Sequence, residues 1–272
     1  GAFDAKFKHG YSAFAGGGKS FMLLKIRAYL FLLLMIAGMA VYWPLPVLGR
    51  FVLSEKAAYY VATAWGRYVL FLLKYVLGIT YQVHGAENIP AKPCVVLSKH
   101  QSALDIFVLL TIFDPQSWVF KKELLNIPCF GWALAATRPI AIDRKAGRQA
   151  LKMMVERGTQ KLQNGFWVLL YPEGTRTKPG EKGTYKSGGV LLAKKAGVDI
   201  IPVALNTGLF WQKGKGAVHN GVVDIVVGEP ISTADKDIKA LTADVENWIE
   251  KHALTITLKH PYYLQLKQDK KR

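Results

Sequence analysis

The chain has 272 residues, of which 36 are Lys or Arg and 19 are Asp or Glu, and its formal net charge is +17. Hydrophobic residues make up 51% of it, which excludes a basic disordered protein and supplies the core of one domain, with or without an appendage. The charge predicts a polyanionic partner, which is nucleic acid, a membrane surface or a phosphorylated substrate. Cys94 and Cys129 lie beside apolar residues and predict reduced thiols, since two cysteines are too few for a disulfide framework or a structural zinc site.

Residues 1–20 lack any periodic pattern and contain three consecutive glycines. Because Met22 has the position of a native start, we expect residues 1–20 to be a vector-derived remnant or a disordered leader.

An apolar segment follows, in which residues 28–49 carry no charge. Pro44 and Pro46 stop a helix near Trp43, leaving about 16 apolar helical residues, which is short for a perpendicular membrane crossing. A second apolar stretch at 68–81 contains Lys74, whose stem can extend to a headgroup interface. We therefore predict that residues 21–78 form a membrane-associated helical hairpin lying in one leaflet. A true span by the first helix and two core helices of a soluble protein remain alternatives.

After residue 78, short apolar runs alternate with helical periodicity, which predicts an α/β layer with a largely buried sheet at residues 79–258. The strand predictions are 79–84, 93–98, 117–120, 139–142, 166–171, 200–205 and 222–227. The helix predictions are 102–112, 129–136, 146–163, 187–196 and 235–253. Residues 259–272 carry five basic residues and one acid, and predict a solvated or membrane-grazing tail.

His100 follows the strand at 93–98, at a strand end where α/β sheets usually build their sites. If His100 lies before the helix and curls back over its first turn, it can meet Asp105. An imidazole oriented by a carboxylate can take a proton from a hydroxyl. His219 and Asp224 have the same spacing, but Asp224 lies in a valine-rich strand, which makes that pair a poor catalytic candidate. No other His or Cys near His100 has the spacing of a metal ligand.

One further segment carries groups that suit a phosphate, and two basic clusters follow other strands or turns. The strand at 166–171 leads into Tyr-Pro-Glu-Gly-Thr-Arg at 171–176, which offers a flexible glycine, a hydroxyl and a guanidinium. Its alternative interpretation is a turn with a surface arginine. Lys121 and Lys122, and Asp143 with Arg144, follow other strands, and surface ion pairs are the alternative there.

In this order the segments resemble the 1-acyl-sn-glycerol-3-phosphate acyltransferase family of the glycerolipid acyltransferases, bacterial members included. The resemblance covers roughly residues 90–210. It is carried by KHQSALD at 99–105, FKKELLNIPCFGW at 120–132 with PIAIDR at 139–144, YPEGTR at 171–176 with YKSGG at 185–189, and IIPVAL at 200–205. Lys99 departs from the pattern, since the family more often has Asn there, and this changes the hydrogen bonding around His100.

The resemblance implies a mixed sheet flanked by helices and an acyl transfer. A fatty acyl group moves from a coenzyme A or acyl-carrier-protein thioester to the sn-2 hydroxyl of lysophosphatidic acid, giving phosphatidic acid. His100 is then the general base and Asp105 holds its ring, while backbone N–H groups near the start of helix 102–112 stabilise the oxyanion. No acyl-enzyme, metal or cofactor is required.

The phosphate of the acceptor falls to Arg176, with Gly174 and Thr175 beside it. Lys121 and Arg144 are further candidates for that phosphate or for the donor's. Glu173 belongs to the same segment, where an ionised carboxylate orients Arg176 or caps the loop.

The implied partners are an anionic membrane, lysophosphatidic acid and the acyl thioester, with no nucleic acid, at the cytoplasmic side of a bacterial inner membrane. The first alternative is an acyltransferase for another lysolipid or for glycerol phosphate. A hydrolase that activates water through His100, and a non-enzymatic basic protein, are weaker alternatives.

Overall fold

A computed structural model describes residues 18–212, 214, 216–217 and 219–269. The leader predicted at residues 1–20 therefore lies outside the described residues as far as residue 17, and residues 18–20 begin the first helix.

The N-terminal segment consists of three helices. Helix α1 spans Gly18–Tyr42, α2 spans Pro44–Val52, and α3 spans Glu55–Leu72 and continues into a π-helical turn at Leu73–Leu77. Pro44 is tolerated at the first position of α2, because the N–H it lacks has no partner there. The predicted break at Trp43 is therefore present, but a nine-residue helix makes the connection where the sequence suggested a simple turn.

Helices α1 and α3 run antiparallel and touch along their length. Tyr68 donates its hydroxyl to the Leu34 carbonyl at 3.2 Å, and Tyr42 bonds in the same way to Val61. On its other side, α3 packs into the body of the protein, where Tyr59 stacks on Trp118. Helix α3 thus lies between α1 and the body of the protein.

One helical stretch, Met22–Val52, is long and apolar enough to cross a membrane, with a mean hydropathy of 2.0. Signal sequences and buried core helices share this length and composition. Because only 17% of its most apolar part is buried, a core helix explains the stretch less well.

Seven strands form one mixed sheet: β1 Ile79–His84, β2 Val95–Ser98, β3 Gln116–Lys121, β4 Ile140–Ile142, β5 Trp167–Leu170, β6 Ile200–Leu205 and β9 Gly221–Val227. Their order is β1-β9-β6-β2-β5-β3-β4, and all neighbours are parallel except β6 and β9, which are antiparallel. Each of the seven predicted strands is present, and the bounds of β1 and β6 are those predicted. Two-residue strands β7, Trp211–Gln212, and β8, Gly216–Ala217, pair separately.

Helices cover both faces of the sheet, because successive strand residues point to opposite sides. After α3 come the helices α4 Leu104–Leu109, α5 Phe130–Ala136, α6 Gly147–Gln163, α7 Gly188–Ala196, α8 Ile238–Lys259 and α9 Pro261–Asp269. Val96 and Leu169 pack with α3 and α4, whereas Val95 and Leu97 pack with α6, α7 and α8. The predicted helix at 235–253 begins later than expected because Asp237 caps it, and it continues to residue 259.

The predicted tail begins with α9, and Tyr262 in that helix stacks on His219 with ring centroids 4.1 Å apart. This contact ties the first part of the tail to the protein. Cys94 and Cys129 are free thiols.

Candidate active site

The site forms where β2 and β5, two central parallel strands, end at the same edge of the sheet. His100 follows β2, and the segment from Tyr171 to Thr177 follows β5. Parallel pairing therefore brings together two segments that lie about 70 residues apart in sequence.

His100 and Asp105 are in contact. Nδ1 of His100 lies 2.7 Å from Oδ2 of Asp105, which is fully buried in the first turn of α4. The same oxygen accepts the backbone N–H groups of Gln101 at 2.8 Å and Ser102 at 3.0 Å, and Thr207 donates its hydroxyl to the other oxygen. Because an ionised carboxylate only accepts, Nδ1 carries the proton and Nε2 is the basic nitrogen.

The segment after β5 holds the rest of His100. The backbone N–H of His100 donates to Glu173 Oε1 at 3.2 Å. The backbone carbonyl of His100 accepts the N–H of Thr177 at 2.8 Å and the Thr177 hydroxyl at 3.1 Å. The imidazole stacks on Tyr171, with centroids 3.9 Å apart and planes 15° from parallel. His100 is therefore fixed at its ring and at both backbone groups.

The imidazole borders a cavity of about 380 Å³. Its walls come from the N-terminal helices and from the α/β body of the protein, so the cavity lies between the two. Most of the lining is apolar, including Trp65, Phe107, Leu110, Phe120, Phe130 and Leu134. A fatty acyl chain fits the chemistry of such walls.

The cationic part of the cavity lining comes from Arg176 and Lys121. Within the described part of the chain, neither cation has an ion pair, whereas the neighbouring Lys122 pairs with Asp143. Unpaired cations beside an apolar cavity suit an anionic substrate group.

Two other members of the predicted phosphate group, Gly174 and Thr175, also line the cavity. Gly174 has a φ of +67°, a conformation that glycine adopts without strain and that turns the loop at this point. Arg144 begins a short 3-10 turn after β4, and its side chain lies outside what the structure describes.

Glu173 does not pair with Arg176, which was the first of the two roles expected for it. Its carboxylate is buried under the loop, where it lies 3.3 Å from the Lys99 ammonium and accepts the His100 N–H. Its partners are therefore Lys99 and His100, and not Arg176. Burial raises the pKa of Glu173, and the positive charge of Lys99 opposes that rise.

Three backbone N–H groups near the start of the predicted helix are already engaged. Those of Gln101 and Ser102 donate to Asp105, and that of Leu104 donates to the Ser102 hydroxyl. These three groups hold the loop, and stabilisation of the oxyanion by another backbone N–H of this helix start stays a prediction.

The second His and Asp at this spacing do not meet. Asp224 bonds to His84 Nε2 at 3.0 Å and to Asn206 at 3.2 Å, while His219 stacks on Tyr262. Asp224 therefore connects β9 to β1 and to the residue after β6, and it does not orient His219.

The sequence motifs do not single out two residues that build the site, Tyr171 and Thr207. Thr207 follows β6, the parallel neighbour of β2, so the rule of strand ends was a signal that could have found it. Among the described residues, no group of three or more His, Cys, Asp or Glu side chains is arranged to hold a metal ion.

Known proteins share this sequence and this fold. The family model described as Acyltransferase matches residues 80–206. A 1-acyl-sn-glycerol-3-phosphate acyltransferase from Pseudomonas aeruginosa is 42% identical over 82% of this chain and 89% of its own length. A chloroplastic protein of the same name from Brassica napus is 32% identical over 57% of this chain and 46% of its own length.

Among solved structures, that of the 1-acyl-sn-glycerophosphate acyltransferase from Thermotoga maritima matches with a TM-score of 0.69 and 25% identity. The match covers 87% of this chain and 99% of that one. The agreement extends from the N-terminal helices through the sheet, and the bacterial relative is similar over nearly its whole length. The chain therefore belongs to the 1-acyl-sn-glycerol-3-phosphate acyltransferase family.

Proposed function

We propose that this protein transfers a fatty acyl group to the sn-2 hydroxyl of 1-acyl-sn-glycerol 3-phosphate, forming phosphatidic acid. The donor is a thioester of coenzyme A or of acyl carrier protein. The observation that carries this proposal is the His100–Asp105 pair at the border of an apolar cavity that also holds unpaired Arg176 and Lys121. The names of the relatives agree with it.

In this reaction Nε2 of His100 takes the proton of the acceptor hydroxyl while that oxygen attacks the thioester carbonyl carbon. Asp105 keeps the proton on Nδ1 and stabilises the imidazolium that forms. The tetrahedral intermediate then expels the thiolate as its carbon–sulfur bond breaks. His100 returns the proton to sulfur, so the products are an ester and a free thiol. The acceptor hydroxyl is itself the nucleophile, and no acyl-enzyme forms.

The acceptor phosphate binds to Arg176 and Lys121, with the Thr175 hydroxyl and the turn at Gly174 beside them. A guanidinium offers two parallel N–H donors to a phosphate, and the Lys121 ammonium adds a point charge. The apolar walls take the acyl chains, and binding both amphiphiles in one cavity supplies most of the proximity that the reaction needs.

The hairpin of α1 to α3 lies in one leaflet at the cytoplasmic face of a bacterial inner membrane. Two observations support this part of the proposal. Many large apolar side chains on α1 and α2 are exposed, including Tyr29, Leu33, Ile36, Val41, Phe51 and Val52. Because α1 lies along α3, which is packed into the body, α1 is not free to cross a bilayer by itself.

The test is an assay of the purified full chain with lysophosphatidic acid and a panel of acyl-CoA and acyl-carrier thioesters. We expect phosphatidic acid and free thiol in equal amounts, and loss of both in His100→Ala. His252→Ala is a control, since that histidine lies outside the cavity. Free fatty acid without phosphatidic acid would indicate a hydrolase, and a preference for another lysolipid would change the acceptor.

A further inference from the structure

A buried lysine lies directly before the catalytic histidine. Lys99 is only 1% exposed, and its ammonium lies 2.6 Å from Glu250 Oε1, 3.3 Å from Glu173 Oε1 and 3.0 Å from the carbonyl oxygen of Glu181. Burying an ammonium is unfavourable unless charged and polar partners surround it. The acyl-transfer steps do not use this group, so it requires another explanation.

The carboxylates that pair with Lys99 connect distant parts of the fold. Glu250 belongs to α8, and Tyr185, which precedes α7, donates to the same Glu250 oxygen at 2.9 Å. Glu173 belongs to the loop after β5. Lys99 therefore joins the β2 end, the β5 end and α8 beneath the catalytic cavity.

Glu173, one of the two carboxylates that pair with Lys99, also contacts the backbone of His100. Oε1 of Glu173 both faces the Lys99 ammonium and accepts the His100 N–H. The other oxygen, Oε2, is buried and has no hydrogen-bond partner in the described part of the structure. The cation that supports a charged Glu173 is thus Lys99.

We propose that Lys99 is a positioning residue for acyl transfer: its ammonium keeps Glu173 charged, and the charged carboxylate holds the His100 backbone in place for proton transfer. This inference rests on the proposed function for its reaction, but its electrostatic part does not depend on it. It assigns Lys99 no contact with either substrate.

The surroundings of Glu173 make its charge depend on this one cation. Burial raises the pKa of Glu173, and Lys99 is the first of the groups that lower it. Tyr171 and Tyr185 interact electrostatically with Glu173, the backbone N–H of His100 donates to it, and Glu250 shares its Lys99 partner. Without Lys99, Glu173 becomes protonated in the folded protein, because a protonated acid avoids a buried charge.

The first experiment compares Lys99→Met with Lys182→Met, which removes a surface lysine that pairs with Glu246 on the same helix α8. Loss of a nearby opposite charge raises a carboxyl pKa. We therefore expect the acidic limb of the kcat–pH profile to lie at higher pH in Lys99→Met than in wild type or in Lys182→Met. At neutral pH, kcat falls by about 10- to 100-fold, because a small displacement of the base is enough. The KM for lysophosphatidic acid changes less than two-fold, since the cavity is untouched.

The second experiment needs no activity. In Lys99→Met, the pKa of Glu173 is higher in the folded protein than in the unfolded chain. As pH rises from the lower to the higher of these two pKa values, the unfolded chain loses a proton that the folded protein keeps. The Tm of Lys99→Met should therefore fall relative to that of wild type over this pH interval. Adding Glu173→Gln removes the titrating group, and the double variant should lose this slope and recover Tm.

Each result decides the inference. The inference is overturned if Lys99→Met has the wild-type acidic limb of kcat and the wild-type dependence of Tm on pH. It is also overturned if the double variant Lys99→Met with Glu173→Gln is no more stable than Lys99→Met. If Lys99→Met does not fold, Lys99→Met with Glu173→Gln must fold, and failure of both also overturns it. Wild-type protein without acyl transfer refutes the proposed function alone, since the Tm experiment still tests the charge relationship.

Discussion

Oδ2 of Asp105 lies 2.7 Å from Nδ1 of His100 and accepts two backbone N–H groups of the loop that carries that histidine. The carboxylate therefore has two tasks. It orients the base, and it also closes the loop between β2 and α4. A single substitution at this position should affect both the reaction and the stability of the protein.

The first prediction concerns Asp105→Asn. An amide has one acceptor oxygen, so it cannot accept from His100, both N–H groups and Thr207 as the carboxylate does. We expect kcat to fall roughly 10²- to 10⁴-fold, and the free energy of unfolding to fall by about 1–3 kcal/mol because buried donors lose their partner. Steady-state kinetics and urea unfolding measure the two effects. Asp244→Asn removes a carboxylate from an exposed pair with Lys236 and is the control. Near-normal kcat in folded Asp105→Asn would refute the role of this pair.

The second prediction concerns Arg176→Ala. Loss of a charged hydrogen bond to phosphate should raise the acceptor KM by about 10- to 100-fold, with a smaller rise in the thioester KM. Arg176→Lys should lie between, because an ammonium supplies charge without the planar fork. Arg157→Ala removes an exposed arginine of α6 and serves as control. A rise confined to the thioester KM would assign Arg176 to the donor.

The main sheet was predictable because its strands are short apolar runs bounded by polar residues or glycine. The strand at 79–84 begins after Gly78, whose φ of +68° ends the preceding helical turn, and its bounds were right. The β7–β8 hairpin was not predictable, because two-residue strands show no alternation. Helix α2 was missed for a related reason, since its two prolines indicate a break and also suit the first turn of a new helix.

The site residues that follow adjacent strands were predictable, whereas the contacts made by a helix far away in sequence were not. Spacing together with a position at a strand end was enough to suggest His100 with Asp105, because both lie in one loop and the following turn. The same spacing at His219 and Asp224, which lacks that position, brings no such pair together. Glu250 lies about 150 residues from Lys99, and no local pattern connects them. No sequence pattern indicated that the Glu173 side chain is buried, since a glutamate in a loop is ordinarily exposed.

The third prediction compares two adjacent glycines at the start of α7. A Cβ on Gly189 would lie 2.5 Å from Cδ2 of Leu97 in the central strand β2, whereas one on Gly188 would lie 3.1 Å from the terminal methyl of Met154. Leu97 is enclosed in the core, but a methionine side chain can move aside. Gly189→Ala should therefore lower the free energy of unfolding by about 1–3 kcal/mol, and Gly188→Ala should change it little. Urea unfolding of both variants tests this, and the reverse order of stabilities would contradict the packing.

The last prediction concerns acid stability and His219. Burial, and then the nearby His260, lower the pKa of His219 to about 4, whereas its ordinary value in an unfolded chain is about 6.5. Between these values the unfolded chain binds a proton that the folded protein excludes, so the free energy of unfolding falls as pH falls from about 6.5 to about 4. His219→Phe keeps a ring against Tyr262 and removes this titration, so its Tm should fall less than that of wild type over the same interval.

The control for this variant is internal. Above pH 7.5 neither protein has a charge at position 219, so the difference in Tm between His219→Phe and wild type should be constant there. His260, whose pKa burial also lowers, retains its own acid sensitivity in both proteins. Thermal unfolding at intervals from pH 8 to pH 4 measures the effect. An equal loss of Tm in the two proteins below pH 6.5 would show that His219 is not the group whose protonation destabilises the fold.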